Sequence, residues 1–161
     1  MRRPRSNELF VVATETTSVR FYAVSSGDCL GEWAPLLDPS RGPDALSALA
    51  VRGSILATGD NDPGGACLGR VFDLGPDLAS ETSIARLPHR DPVFAVDVDD
   101  RASTCVTAGR FAANVWNART GALLFTTPYG NAVATFVGKT LICDVDAPER
   151  GLVVLDATAL P

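Results

Sequence analysis

Val106-Thr107-Ala108-Gly109, followed by Asn114-Val115-Trp116-Asn117-Ala118-Arg119-Thr120-Gly121, is the stretch on which the fold of this chain turns. Its first half is a run of small and β-branched residues that suits a pleated, half-buried surface and stops on a glycine. A tight turn leads into a second strand closing on Trp116-Asn117, and Thr120-Gly121 turns the chain again. Residues 122–126 follow as an outer strand. Upstream, Val93-Phe94-Ala95-Val96-Asp97-Val98 is an inner strand that turns at Asp99-Asp100-Arg101. Four short strands joined by tight turns, with no amphipathic stretch of helical length, make an all-β unit.

The same cycle runs along the rest of the chain. Residues 9–14, 18–24 and 29–33 read as strands around a Ser25-Ser26-Gly27-Asp28 turn, and residues 35–44, rich in Pro and Gly, read as a loop. Residues 45–51, 55–59, 69–73 and 83–87 form the next group, with a glycine-rich connection at Asn61-Asp62-Pro63-Gly64-Gly65. The last group comprises residues 132–137, 141–143 and 152–156, with a Gly138-Lys139 turn. Four units result, at roughly 7–34, 45–87, 92–127 and 131–158. Their third strands align on Tyr22, Phe72, Trp116 and Leu155, in steps that bracket the period of about 40–45 residues of a four-stranded propeller blade.

On these residues the chain resembles the WD40-repeat family. The third unit matches the family's small-residue strand, tight turn and strand ending on Trp-Asp ahead of Thr-Gly. Leu87-Pro88-His89 stands where the family often has Leu-x-Gly-His, and Ser26-Gly27 closes a similar segment in the first unit. The repeats are degenerate: Trp116 alone keeps the Trp, Asp73 and Asp156 alone keep the Asp, and no unit holds both. The resemblance implies a β-propeller of four-stranded antiparallel blades, with Tyr22, Phe72, Trp116 and Leu155 filling the space between neighbouring blades. It also implies a hydrogen-bonded chain from a His through a Ser/Thr to the Trp, for which His89, Thr107 and Trp116 supply three members. The family's turn Asp is replaced near Arg110-Phe111, so that chain is expected to be incomplete.

The unit count predicts a partial propeller of about 3.5–4 blades, because propellers carry about 4 to 8 and members of this family usually more than four. The first unit begins at its second strand and the last ends after its third. The expectation favours a part of a longer propeller, with completion by self-association through open blade edges as the alternative.

Composition limits the function. The 161 residues carry a net charge of −5, which argues against a face that neutralises nucleic-acid phosphates. Residues 9–13 are too short an apolar run for a signal peptide, and no stretch is long enough to cross a bilayer, so no membrane partner is expected and the compartment is cytoplasmic or nuclear. The cysteines at 29, 67, 105 and 143 are evenly spaced. With no Cys-x-x-Cys and one histidine they do not read as a zinc site. They read as small buried strand residues, of which Cys105 and Cys143 alone occupy matching positions.

Candidate chemistry is sparse. His89 with Asp91 has the makings of a base and its orienter, but a structural histidine at the start of a blade is the preferred reading. Asn61-Asp62-Pro63-Gly64-Gly65 reads as a turn rather than an ion or phosphate loop, and Asp97, Asp99 and Asp100 as solvated turn carboxylates. No cofactor, metal or catalytic group is expected. Arg41, His89, Arg90, Arg110 and Phe111 fall in loops of one rim, where arginine and aromatic side chains suit acidic or phosphorylated peptides. The primary expectation is a non-enzymatic scaffold that binds other proteins or peptides. The alternatives are an enzyme on a propeller scaffold and a truncated repeat protein with no function of its own.

Overall fold

The computed structural model describes residues 10–15, 18–33, 37–38, 42–43, 46–60, 67–74, 81–127, 133–145 and 151–156, and every regular element among them is a strand. The first sheet comprises β1 (Phe10–Glu15), β2 (Ser18–Ala23) and β3 (Cys29–Trp33). A two-residue ladder follows, β4 (Leu37–Asp38) with β5 (Gly42–Pro43). The second sheet is β6 (Leu46–Arg52), β7 (Ile55–Asp60), β8 (Leu68–Leu74) and β9 (Glu81–Pro88). The third is β10 (Ala95–Val98), β11 (Thr104–Ala108), β12 (Ala113–Asn117) and β13 (Leu123–Thr127). The fourth is β14 (Ala134–Val137), β15 (Thr140–Val145) and β16 (Gly151–Asp156). Each of the four pairs its strands antiparallel in sequence order, as tight turns between successive strands require.

The sheets stand side by side as the blades of a partial β-propeller. Inner strands β6, β10 and β14 neighbour one another, and each also meets the second strand of the preceding sheet: β1 with β6, β7 with β10, β11 with β14. By that rule β1 occupies a second-strand place, and the first sheet has no inner strand among the described residues. No broad contact joins the first sheet to the fourth, so the described blades form an open arc.

Alternation along each strand sends successive side chains to opposite faces, and this builds one apolar cluster per inter-blade gap. Val19, Phe21 and Ala23 meet Leu56, Phe72 and Leu74 between the first and second sheets. Ile55, Ala57, Val71 and Leu87 meet Val98, Cys105 and Trp116 in the next gap. Val106, Ala113 and Val115 meet Ala134, Phe136, Leu141 and Cys143 in the third. Phe72 and Trp116 thus each face the preceding blade, and Leu155 packs on the edge of the third cluster. In the register, Tyr22, Phe72 and Trp116 each come directly after a pairing irregularity with the outer strand, at Phe21/Tyr22, Val71/Phe72 and Val115/Trp116. The irregularity twists each blade at the same place.

Several local expectations need correction. The segment expected to be all loop at residues 35–44 contains the β4–β5 ladder, where a proline can sit at an edge without loss of a ladder donor. The inner strand of the third sheet starts at Ala95 rather than Val93. The Val93 side chain leaves the ladder to fill the hollow over Gly59, where a Cβ would lie 2.6 Å from Val93 Cγ1. Cys29 is exposed, unlike Cys67, Cys105 and Cys143. Nor do Cys105 and Cys143 match. Cys105 pairs with Trp116 and Leu141 with Leu155, so Leu141 is the counterpart of Cys105 and Cys143 that of Thr107.

Candidate functional site

The connection from β9 to β10 brings Pro88, His89, Arg90 and Asp91 against the turn between β11 and β12, at one end of the third blade. Trp116 Nε1–H donates to Thr107 Oγ1 at 2.7 Å, and Thr107 Oγ1 lies 2.5 Å from His89 Nε2. Since the indole can only donate, the threonine accepts from it and shares a second hydrogen bond with the imidazole. The Asn114 side-chain amide reaches the same His89 nitrogen at 3.3 Å, while Thr126 donates to Asn114 Oδ1 at 2.9 Å. Thr107 and Asn114 thus both engage the same imidazole nitrogen and fix the ring's orientation. The imidazole and indole rings are 6.1 Å apart between centroids and tilted by 55°.

As expected, no carboxylate hydrogen-bonds to the His89–Thr107–Trp116 chain among the described residues; Asp91 serves the neighbouring turn instead. Asp91 Oδ2 accepts the backbone N–H of Arg110 and, at 3.3 Å, that of Phe111. Gly109 makes the approach possible, because a Cβ there would lie 2.5 Å from that oxygen. The carboxylate therefore ties the loop to the turn instead of orienting the imidazole as a catalytic dyad would. The second blade carries Thr58 in the place of Thr107, paired across to Arg70 as Thr107 is to Asn114. Its partner aromatic, Phe72, has no N–H, and Thr58 Oγ1 is buried with no hydrogen-bond partner among the described residues.

Burial pushes His89 below its ordinary value of 6.5, and the negative charge of Asp91 opposes part of that shift. A histidine whose folded-state value is depressed binds its proton more readily in the unfolded chain, so acid favours unfolding. The stability it contributes is complete above about pH 6.5 and falls as the pH drops through that value toward the folded one. Urea midpoints between pH 8 and 5 are expected to fall over this window, and His89→Gln is expected to remove that part of the slope. An unchanged slope in the variant contradicts the assignment.

Above this platform lies a cavity of about 850 Å3, lined by His89, Arg90, Asp91, Phe111, Asn114 and Leu123 among others. Of the residues expected at the rim, His89, Arg90 and Phe111 come together here, with His89 turned inward to Thr107. Phe111 is 71% exposed and Leu123 52%. Arg110 is exposed beside them and its side chain is not part of the lining, while Arg41 lies outside the described residues. Residues 61–65 lie outside them as well. Sequence reading missed Asn114 and Leu123. The one signal for Asn114 was its place two residues before Trp116, on the same strand face.

The acidic cluster does not converge. Asp97 reaches across to Thr135 and Phe136, Asp99 accepts the N–H groups of Ser103 and Thr104 in its own turn, and Asp100 faces Arg52 at 3.8 Å.

The chain matches no protein-family model and no curated protein. Its fold is shared with solved structures. Kuenenia stuttgartiensis hydrazine synthase is similar at TM-score 0.69 and 17% identity, over 93% of this chain and 43% of that one. The computationally designed Ika8 protein is similar at 0.66 and 18%, over 92% and 43%. A chain of a mitotic checkpoint complex is similar at 0.64 and 16%, over 89% and 44%. At such identities the likeness concerns the fold, and the chain spans less than half the length of each of these neighbours.

Proposed function

We propose that the chain is a WD40-type repeat protein that acts as a non-enzymatic interaction module and holds an acidic peptide segment of another protein in the cavity above Trp116. One observation carries the proposal: two exposed apolar side chains, Phe111 and Leu123, line one cavity with Arg90, on a platform fixed by the Asp91, His89, Thr107 and Trp116 hydrogen bonds. An aromatic anchor beside a cation, on a rigid base, is the usual make-up of an interface hot spot. The size suits a few side chains of an extended ligand. Arg90 places a cation in the cavity, and Asp91 there is already engaged by two backbone amides, which favours an acidic partner.

The WD40 assignment is supported by the Trp116–Thr107–His89 hydrogen bonds in the third blade. The non-catalytic reading is supported by how the candidate groups are used. His89 Nε2 is already engaged by Thr107 and Asn114, and burial raises the Cys105 thiol to about 12, which keeps it protonated. The inner-strand channel is walled by Ala50, Arg52, Val96, Asp97, Ala134 and Thr135 among others, and both Asp97 oxygens already accept hydrogen bonds.

Fluorescence anisotropy with labelled peptides that carry Glu, Asp or phosphoserine next to an apolar residue tests the proposal. Acidic peptides are expected to bind, more weakly as salt rises. Phe111→Ala and Arg90→Ala should each weaken binding about tenfold, near 1.4 kcal/mol. Absence of binding across the set, or binding indifferent to both substitutions, rejects it.

A further inference from the structure

We infer that the outer face of the fourth sheet is an interface for a second copy of this chain, whose first sheet it receives head to tail. The chain states the rule for such a contact three times. In each inter-blade gap, a row from the second and third strands of one sheet packs on the row of the next sheet that carries Phe72, Trp116 or Leu155. On the side facing the following blade, that row comprises Val19 and Phe21 in the first sheet, Val71 in the second and Val115 in the third, all with no exposed surface. By register the same places in the fourth sheet belong to Leu152 and Val154, with Ile142 beside them. Leu152 is 68% and Val154 64% exposed, and Val137, 61% exposed, continues the patch. Isolated apolar side chains on a surface are ordinary, but a row that is buried in three homologous sheets and bare in the fourth is an unfilled gap of the same kind.

The complementary row recurs in the first sheet, on the face turned away from the second. In the first sheet, Val19, Phe21 and Ala23 face the second sheet, so Tyr22 and Arg20 face away from it. Tyr22 stands where Phe72 and Trp116 stand and is only half-buried. Arg20, which pairs with Glu32 at 3.3 Å, is no obstacle, because Arg70 holds the same position in the second sheet and faces the first. Among the described residues no broad contact joins the first sheet to the fourth, so each row can receive the other from a second copy. This chain covers 43–44% of each neighbour of known structure, so two copies together match most of the length of one such chain. Two copies related by a twofold axis along the channel then form two identical contacts, fourth sheet to first sheet each time.

Sedimentation equilibrium of the full chain over a concentration series tests this, with far-UV circular dichroism to follow the fold. The wild type is expected at twice the monomer mass, and Leu152→Asp with Val154→Lys is expected at the monomer mass with an unchanged spectrum, since both side chains are exposed. Tyr22→Asp, on the opposite face, is expected to have the same effect. Mixing the two monomeric variants is the decisive arm. A head-to-tail pair made of one of each keeps one contact in which both faces are native, so the mixture should regain dimer that neither variant forms alone. A wild type that is monomeric at all concentrations overturns the inference, as does growth beyond two copies. A dimer untouched by the fourth-sheet substitutions, or one that Tyr22→Asp leaves intact, overturns it by placing the contact elsewhere.

Discussion

Replacing Trp116 by alanine is expected to lower the unfolding free energy by about 3–5 kcal/mol, the range for deleting a large buried aromatic. The side chain is 4% exposed and lies among Ile55, Ala57, Val71 and Leu87 of the preceding blade. Its loss opens a cavity between two rigid sheets that are poorly placed to collapse into it, and dispersion contacts on both sides go with it. A polar cost adds to the apolar one. Without the indole N–H, Thr107 Oγ1 loses its donor in a position with no access to water, and the hydroxyl's bond to His89 loses its orientation. Trp116→Phe separates the two costs, since it keeps most of the ring and removes only the donor; about 1–2 kcal/mol is expected. Leu155→Ala, at the aligned but half-buried place in the fourth sheet, should cost less than Trp116→Ala. Chemical denaturation followed by circular dichroism gives all three values. A midpoint for Trp116→Ala near that of the parent chain would rule out its role as the filler of the gap.

What the sequence made legible follows from which interactions are local. Strand alternation, turn glycines and the repeat period are properties of neighbouring residues, so the all-β class and the blade order could be read directly. The alignment of Tyr22, Phe72 and Trp116 was readable for a deeper reason. The position fixes both the face toward the preceding blade and the pairing irregularity before it, so a large side chain there is constrained twice. The cysteines misled because spacing in the chain is not spacing in the register. Loops of unequal length shift the count, and Cys143 falls two places from its supposed counterpart.

The site was legible in its residues and not in its wiring. His89, Thr107 and Trp116 lie in segments whose pattern marks them, whereas the Asp91 carboxylate serves the turn beside them and not their chain. Asp91 reaches a turn that begins at Gly109, a contact that depends on the close approach of two loops. In sequence Asp91 stands beside His89 as its possible orienter, and nothing there points to the turn amides that it binds. Gly109 was read as the stop of a strand, but it also makes room for the carboxylate. The rim set divided for the same reason: Arg90 and Phe111 share a cavity because Asp91 ties their loops together, and Arg110 is exposed outside its lining.

Asp97 is the other residue whose role only the folded chain reveals, and its removal is expected to produce the second large effect. Read in sequence with Asp99 and Asp100 it looks like part of a solvated acidic turn. In the structure it is buried, on the inner strand β10. Its Oδ1 accepts the Val98 N–H at 2.8 Å, and Oδ2 accepts the Thr135 hydroxyl and the Phe136 N–H, each at 2.7 Å. The Phe136 amide is the important one. Adjacent inner strands of a propeller do not pair with one another, so an inner-strand N–H that points away from its own sheet needs another acceptor. Asp97 supplies that acceptor from the next blade and fastens β14 to β10 where no ladder can. Asp97→Ala should therefore cost about 3 kcal/mol, from charge-assisted hydrogen bonds worth roughly 1.5–3 and a buried donor left bare. Asp97→Asn keeps a neutral acceptor and should cost about half as much. The damage should also be local. Hydrogen exchange is expected to quicken first at Phe136 and through β14 and β15, while the second sheet keeps its protection, because the third cluster alone then holds the fourth blade. Uniform loss of protection in all four sheets would mean that Asp97 serves the whole arc rather than this one junction, and a denaturation midpoint unchanged in Asp97→Ala would mean that it serves neither.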